Sequence, residues 1–218
     1  MNYLAHGYRF LDDPLFLAGT AVPDWLSVSD RQTRMRTRRI RERRNELKPT
    51  QQRIADGIAQ HLSDDDVFHR LPEFAMLEAE IASRFRAHMP DRFDHRPGFL
   101  GHILTEMLLD AFITENDPAV LRRYYAALLD VDGVFVEGTV NQLAARMASR
   151  LAEFIDRFVA IEFLYDYLDN AKLLSRLNQV LRRVTLPPLD DSFESVLGDA
   201  RQLLRVHGDS LLQGVVSA

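Results

Sequence analysis

The chain contains no cysteine among its 218 residues. Disulfides, iron–sulfur clusters, thiolate zinc sites and cysteine nucleophiles are therefore all excluded. Any metal must be held by His, Asp and Glu, which suits manganese, iron, magnesium or zinc in nitrogen and oxygen coordination. Strand signals are nearly missing as well: no β-branched run alternates with period two, and no hairpin dipeptide joins two such runs. Glycine-rich phosphate loops, nucleophile elbows and nicotinamide fingerprints do not occur. No apolar run approaches the length needed to span a bilayer. The first residues, Met1 to Gly7, lack a basic stretch followed by an apolar one, so a cytoplasmic location is expected.

Helical periodicity fills nearly the whole chain. Asp12-Asp13-Pro14 opens a helix that Pro23-Asp24-Trp25 is expected to end or kink. An arginine-rich segment, residues 30–48, is expected to be helical from Asp30 to Leu47. Thr50 to Leu62 forms an amphipathic helix, and Ser63-Asp64-Asp65-Asp66 looks like a cap with acids in the next first turn. Pro72 opens a helix to His88, a central helix runs to about Thr114, and Ala119 to Leu129 follows. Asp132-Gly133 reads as a turn, and Val140 to Leu168 as helix with one break. Asn170 to Val184 and Ser192 to Leu212 close the chain around the rigid Leu186-Pro187-Pro188-Leu189 connector. The expectation is an all-α protein, residues 1–218 forming a single multi-helix bundle domain of roughly ten helices.

The central helix carries His102, Glu106 and Asp110 at i, i+4 and i+8, one narrow stripe on an otherwise apolar surface. A helix that is apolar almost all round is normally buried, so these groups need a counter-charge or a cation. His61, Asp65 and His69 repeat the spacing of four and four. With His6 and Asp24 they make eight candidate metal ligands, arranged as a His/carboxylate cage for one or two cations. Such a cage would lower the pKa of a bound water at neutral pH. For each residue a bland alternative stands beside this: an arginine-neutralised network for the central stripe, a capped first turn for Asp65, a helix cap for Asp24, and a core or surface histidine for His6.

The net charge of −5 conceals a basic block comprising Arg31, Arg34, Arg36, Arg38, Arg39, Arg41, Arg43 and Arg44. Such a block is commonly a solvated face; it can also dock a phosphate or an acidic partner. The acidic balance elsewhere disfavours extended nucleic-acid binding.

Several stretches resemble the acyl carrier protein phosphodiesterase family, which is distantly similar to HD-domain metal phosphohydrolases. The opening Met1-Asn2-Tyr3-Leu4-Ala5-His6 resembles the family's start. Leu17 to Asp24 looks like its Gly-Asn-Leu-Leu-Ala-Asp segment, and Gly57-Ile58 through His61 to Asp65 matches its Gly-Ile-x-x-His-Arg-x-x-Asp pattern. His69 to Glu73 falls on the stretch that follows. Glu106-Met107-Leu108-Leu109-Asp110-Ala111-Phe112 resembles its Asp-x-x-x-Asp-His-Phe motif, and Leu177 to Arg183 is also similar. The resemblance implies an HD-domain-like fold and hydrolysis of a phosphodiester by metal-activated water, removing the 4′-phosphopantetheine arm of an acyl carrier protein. Manganese is the implied cation. His6, Asp24, His61, Asp65 and Asp110 are the positions carried over, with Asp24, Asp65 and Asp110 as catalytic. Arg31 to Arg44 would then face an acidic carrier protein or a phosphorylated substrate. The chain departs from the family at Ala111, where a histidine is expected, at Glu106 in place of an aspartate, at His102 in place of a glycine, and at His69 in place of an acid. Two alternatives follow: a metal-dependent hydrolase of another phosphorylated small molecule, or a non-enzymatic protein using its arginine face.

Overall fold

A computed structural model describes residues 1–217, and its helices begin where short polar side chains and prolines allow them to begin. Asp13 accepts a hydrogen bond from the Phe16 amide (3.1 Å) ahead of Pro14, which satisfies one of the open donors of a first turn. Asp132 and Asp169 do the same for Val134, Phe135 and Lys172. The Gln51 side chain reaches back to the Lys48 amide (3.1 Å), half of a capping box.

The α-helices are α1 (Tyr3–Gly7), α2 (Pro14–Ser29), α3 (Thr37–Arg43), α4 (Pro49–Phe68), α5 (Pro72–His88), α6 (Arg96–Asn116), α7 (Val120–Leu129), α8 (Gly133–Leu143), α9 (Leu151–Ile161), α10 (Asn170–Arg183) and α11 (Glu194–Val216). Short 3₁₀ turns occupy Arg44–Glu46, Phe163–Leu168 and Asp191–Phe193. The architecture is all-helical, with no strand among the described residues. None of these helices is long and apolar enough to cross a membrane.

Two compact units interleave along the chain. One holds Tyr3–Asp66 and Ala119–Glu162; the other holds Met1–Asn2, Val67–Pro118 and Phe163–Ala218. In the first, Phe158 of α9 packs against the rings of Tyr3, Trp25, Tyr124 and Tyr125, with centroids 4.9 to 6.4 Å away. In the second, α5, α6 and α11 pack on one another. Gly208 of α11 lies where any Cβ would collide with the Phe112 ring of α6, 2.6 Å from its Cδ1.

Five expected boundaries move, and packing gives the reason for the first two. Pro23 does not end α2, which continues to Ser29. An interior proline costs about 3 kcal/mol, but continuing the helix buries Trp25 and Leu26 completely, and an aliphatic side chain alone contributes about 1.5–3 kcal/mol on burial. Ser63 does not start a helix, because α4 passes through it. Residues Ile54, Ile58, His61, Asp65 and Phe68 recur at helical spacing, and all but Asp65 are buried. The arginine segment is helical only over α3 and the short turn after it. Val140 to Leu168 is three elements, α8, α9 and a 3₁₀ turn, and Gly133 opens α8 instead of forming a turn.

Two glycines set the closest approach in the first unit. A Cβ on Gly57 of α4 would stand 2.9 Å from the Gly19 Cα of α2, and it would press into the Phe16 carbonyl oxygen. Gly57→Ala is expected to destabilise the protein by about 1–3 kcal/mol through overpacking, read as a lower denaturation midpoint in urea.

In the second unit Glu115 takes Arg201 on one oxygen (3.0 Å) and Arg205 on the other (2.9 Å). Burial works to raise the Glu115 pKa, yet the two guanidinium groups bring it below the ordinary glutamate value. A depressed folded-state pKa means that this contribution is whole above the unfolded pKa, about 4.3, and is lost as pH falls through the folded value. Wild-type protein should therefore lose its stability advantage over Glu115→Gln as pH falls below about 4.3, measured by denaturation at each pH.

Candidate metal centres

The close contact at Gly19 and Gly57 brings α4 against the α2 backbone, and His61 uses it. Its Nδ1 lies 2.7 Å from the Thr20 carbonyl oxygen. A carbonyl can only accept, so Nδ1 carries the proton and Nε2 keeps its lone pair. A hydrogen bond to the far nitrogen is what orients histidine ligands in metal sites. Asp65, one turn further along α4, places an oxygen 3.7 Å from that Nε2.

His6 of α1 completes the group. Its ring stacks on that of His61 with centroids 3.7 Å apart, and its Nε2 is 3.3 Å from the other Asp65 oxygen. His6 is fully buried, and neither ring nitrogen makes a hydrogen bond of good geometry. Buried imidazole nitrogens in that condition are costly unless a ligand takes them. His6, His61 and Asp65 bring one donor atom each within 4.8 Å of one another, so the group can hold a metal ion.

The electrostatics divide the two histidines. Burial pushes the His61 pKa down, and the neighbouring His6 pushes it further, so this imidazole is neutral and ready to coordinate. Burial also works against charge on His6, but the carboxylates of Asp64 and Asp65 beside it outweigh that and raise its pKa. Burial would raise Asp65; His6 and His61 reverse this and hold it far below the usual carboxylate range. Asp24 of α2 is close enough to act on the charge of His6.

The expected ligands fall into two groups. His6, His61 and Asp65 meet in the first unit. His69, just beyond α4, meets His102 and Glu106 of α6 in the second. The regular spacing of His61, Asp65 and His69 thus serves two groups, because α4 ends at Phe68. Asp24 lies inside α2, not at its end, and neither group includes it. Asp110 is buried on α6, where its charge acts on Tyr167. The central stripe grades from His102, about one-third exposed, to a fully buried Asp110.

Two neighbours were not foreseen as parts of the site. Asp64 is buried, 3.9 Å from His6 Nδ1, and accepts hydrogen bonds from Arg9 (2.6 Å) and Gln60 (2.7 Å). In sequence it is one acid in a run of three, and only the helical register of α4 turns it inward. The Thr20 carbonyl, a main-chain group, has no signature at all.

The arginine block divides. Arg39 and Arg43 donate to the last carbonyls of α8 and to Ala144, Arg44 forks onto Asp56, and Arg38 pairs with Glu42. Arg31, Arg34, Arg36 and Arg41 are exposed. Comparison of the chain with protein-family models, with curated proteins and with solved structures finds no match.

Asp64→Asn should cost about 2–3 kcal/mol, short of the full cost of breaking a buried pair because Arg9 retains some contact with water. Cation binding by His6, His61 and Asp65 should persist in this variant, checked by calorimetric titration with manganese beside a denaturation curve.

Proposed function

We propose that this chain is a metal-dependent phosphodiester hydrolase of the acyl carrier protein phosphodiesterase kind, on an HD-domain-like helical scaffold. The observation that carries the reading is the buried pairing of His6 and His61 over Asp65, with His61 oriented by the Thr20 carbonyl. Its donor set of two imidazoles and a carboxylate fits manganese, iron or zinc better than magnesium. When bound there, such a cation supplies Lewis acidity and a lowered pKa for water.

The chain's own groups do the rest. Asp65 faces both imidazoles and holds them in register. Asp24 adds negative charge that acts on His6. The helix packing around α1, α2 and α4 keeps His6 and His61 out of bulk water, which strengthens every charge interaction within. Arg31, Arg34, Arg36 and Arg41 are free of the structural duties of their neighbours and supply positive charge for an acidic carrier protein or a phosphate. Asp110 takes no step in this reading.

Hydrolysis of a different phosphorylated small molecule is the second reading. It is favoured by the engagement of Arg39, Arg43 and Arg44 with the end of α8 and with Asp56, which leaves a narrower basic face than the sequence suggests.

Protein purified without chelator should contain a first-row divalent metal and, with manganese added, should cleave a generic phosphodiester. Release of phosphopantetheine from holo-acyl carrier protein separates the two readings. His61→Ala should lower turnover by more than the roughly 10–100-fold typical of losing an outer-shell partner. Absence of turnover with any divalent cation, or an unimpaired His61→Ala variant, would overturn the hydrolase assignment.

A further inference from the structure

We propose that His69, His102 and Glu106 form a second cation site, made entirely from the other unit, for a divalent transition-metal ion held by two imidazoles and one carboxylate. The three side chains converge on a single atom. Glu106 Oε1 lies 3.3 Å from His69 Nε2 and 3.4 Å from His102 Nε2. In tetrahedral coordination with bonds of about 2.0–2.2 Å, neighbouring ligand atoms stand about 3.3–3.6 Å apart. Both imidazole–carboxylate spacings fall at the near end of that range, and the three donor atoms lie within 4.8 Å of one another.

The two rings are held in matching orientations. They lie nearly parallel, at 9° with centroids 5.0 Å apart, so both present Nε2 to the carboxylate. Phe74 of α5, itself buried, stands edge-on to each ring at 5.1 Å. A ring wedged against both imidazoles restricts their rotation before any ligand arrives, and such preorganisation is what a tight site requires. On the far side of His102, Nδ1 faces Glu78 at 3.7 Å.

Access agrees with the geometry. Glu106 Oε1 also lies 3.2 Å from the Met1 amino group, an ion pair that an arriving cation would replace. His69 and His102 each leave about a third of the side chain exposed, whereas Glu106 is mostly covered. A cation can therefore enter from solvent and keep an open coordination position, the pattern of three protein ligands plus a free vertex that distinguishes catalytic from structural zinc sites. The ion would tie the chain just beyond α4 to α6.

This inference does not rest on the hydrolase reading, and the experiment separates them. The full chain, stripped with EDTA, is titrated with cobalt(II) by absorption and with zinc by calorimetry, in wild type and in His102→Ala, His69→Gln and His61→Ala. Wild type should take up about two equivalents. His102→Ala and His69→Gln should each lose one equivalent, or bind it at least about 10–100-fold more weakly, while His61→Ala retains it. Circular dichroism and thermal melts accompany each variant; with both histidines partly exposed, helicity should be unchanged. If His102→Ala fails to fold, His69→Gln alone decides. Uptake that His61→Ala abolishes and that His69→Gln and His102→Ala leave untouched would overturn the second site while leaving the first. Uptake lost in His69→Gln and His102→Ala but not in His61→Ala would support it and count against the hydrolase site.

Discussion

The approach of α2 to α4 governs what the first unit can do. Two helices ordinarily pack with their axes held 8–10 Å apart by side chains. At Gly19 and Gly57 there are none, and the backbones come within reach of each other's polar groups. Only because of this can an imidazole on α4 touch a main-chain carbonyl on α2. The tautomer of His61, its orientation toward Asp65 and its stacking on His6 all follow from an absence of side-chain bulk several residues away. Chemistry at the site and packing at the helix crossing are thus one problem.

The two imidazole–carboxylate groups bring the same donor types together in contrasting surroundings. In one, both histidines are sealed from solvent; dehydration and the neighbouring His6 favour the neutral ring at His61, while Asp64 and Asp65 draw His6 toward its charged form. In the other, the histidines stand at the surface and the carboxylate is the covered member. One group thus buries the base and the other buries the acid. The arginine segment shows a parallel division, with some guanidinium groups closing helix ends and others left to the solvent.

Much of the fold was legible from residue type and order. Asp13-Pro14, Pro72 and the long apolar run around Leu104 to Ile113 mark helix starts and a core, because capping and burial act locally. Pro23 and Ser63 misled for a shared reason: each is a local stop signal overridden by distant packing, Pro23 by Trp25 and Phe158, Ser63 by the continuous buried row through Ile58 and His61. Once α4 is unbroken, His61 and Asp65 share a face and that pair was within reach of the spacing, whereas spacing carried no signal for His6 on α1. That His69 belongs elsewhere was not, since it depends on where α4 ends. Nor was the role of Asp64 or of the Thr20 carbonyl, because register decides which of three successive acids points inward and a peptide group leaves no trace in composition.

The interleaving of the two units bears on synthesis. The first unit has all its segments once Glu162 has been added, so it can close while translation continues. The second already has α5 and α6 by then, yet α11, which packs on both, is made last. Until it arrives, apolar faces such as that of Phe112 lack their cover, and the nascent chain spends that interval exposed to aggregation and to chaperones. The order of helices along the gene therefore sets a vulnerable window that the finished protein no longer displays.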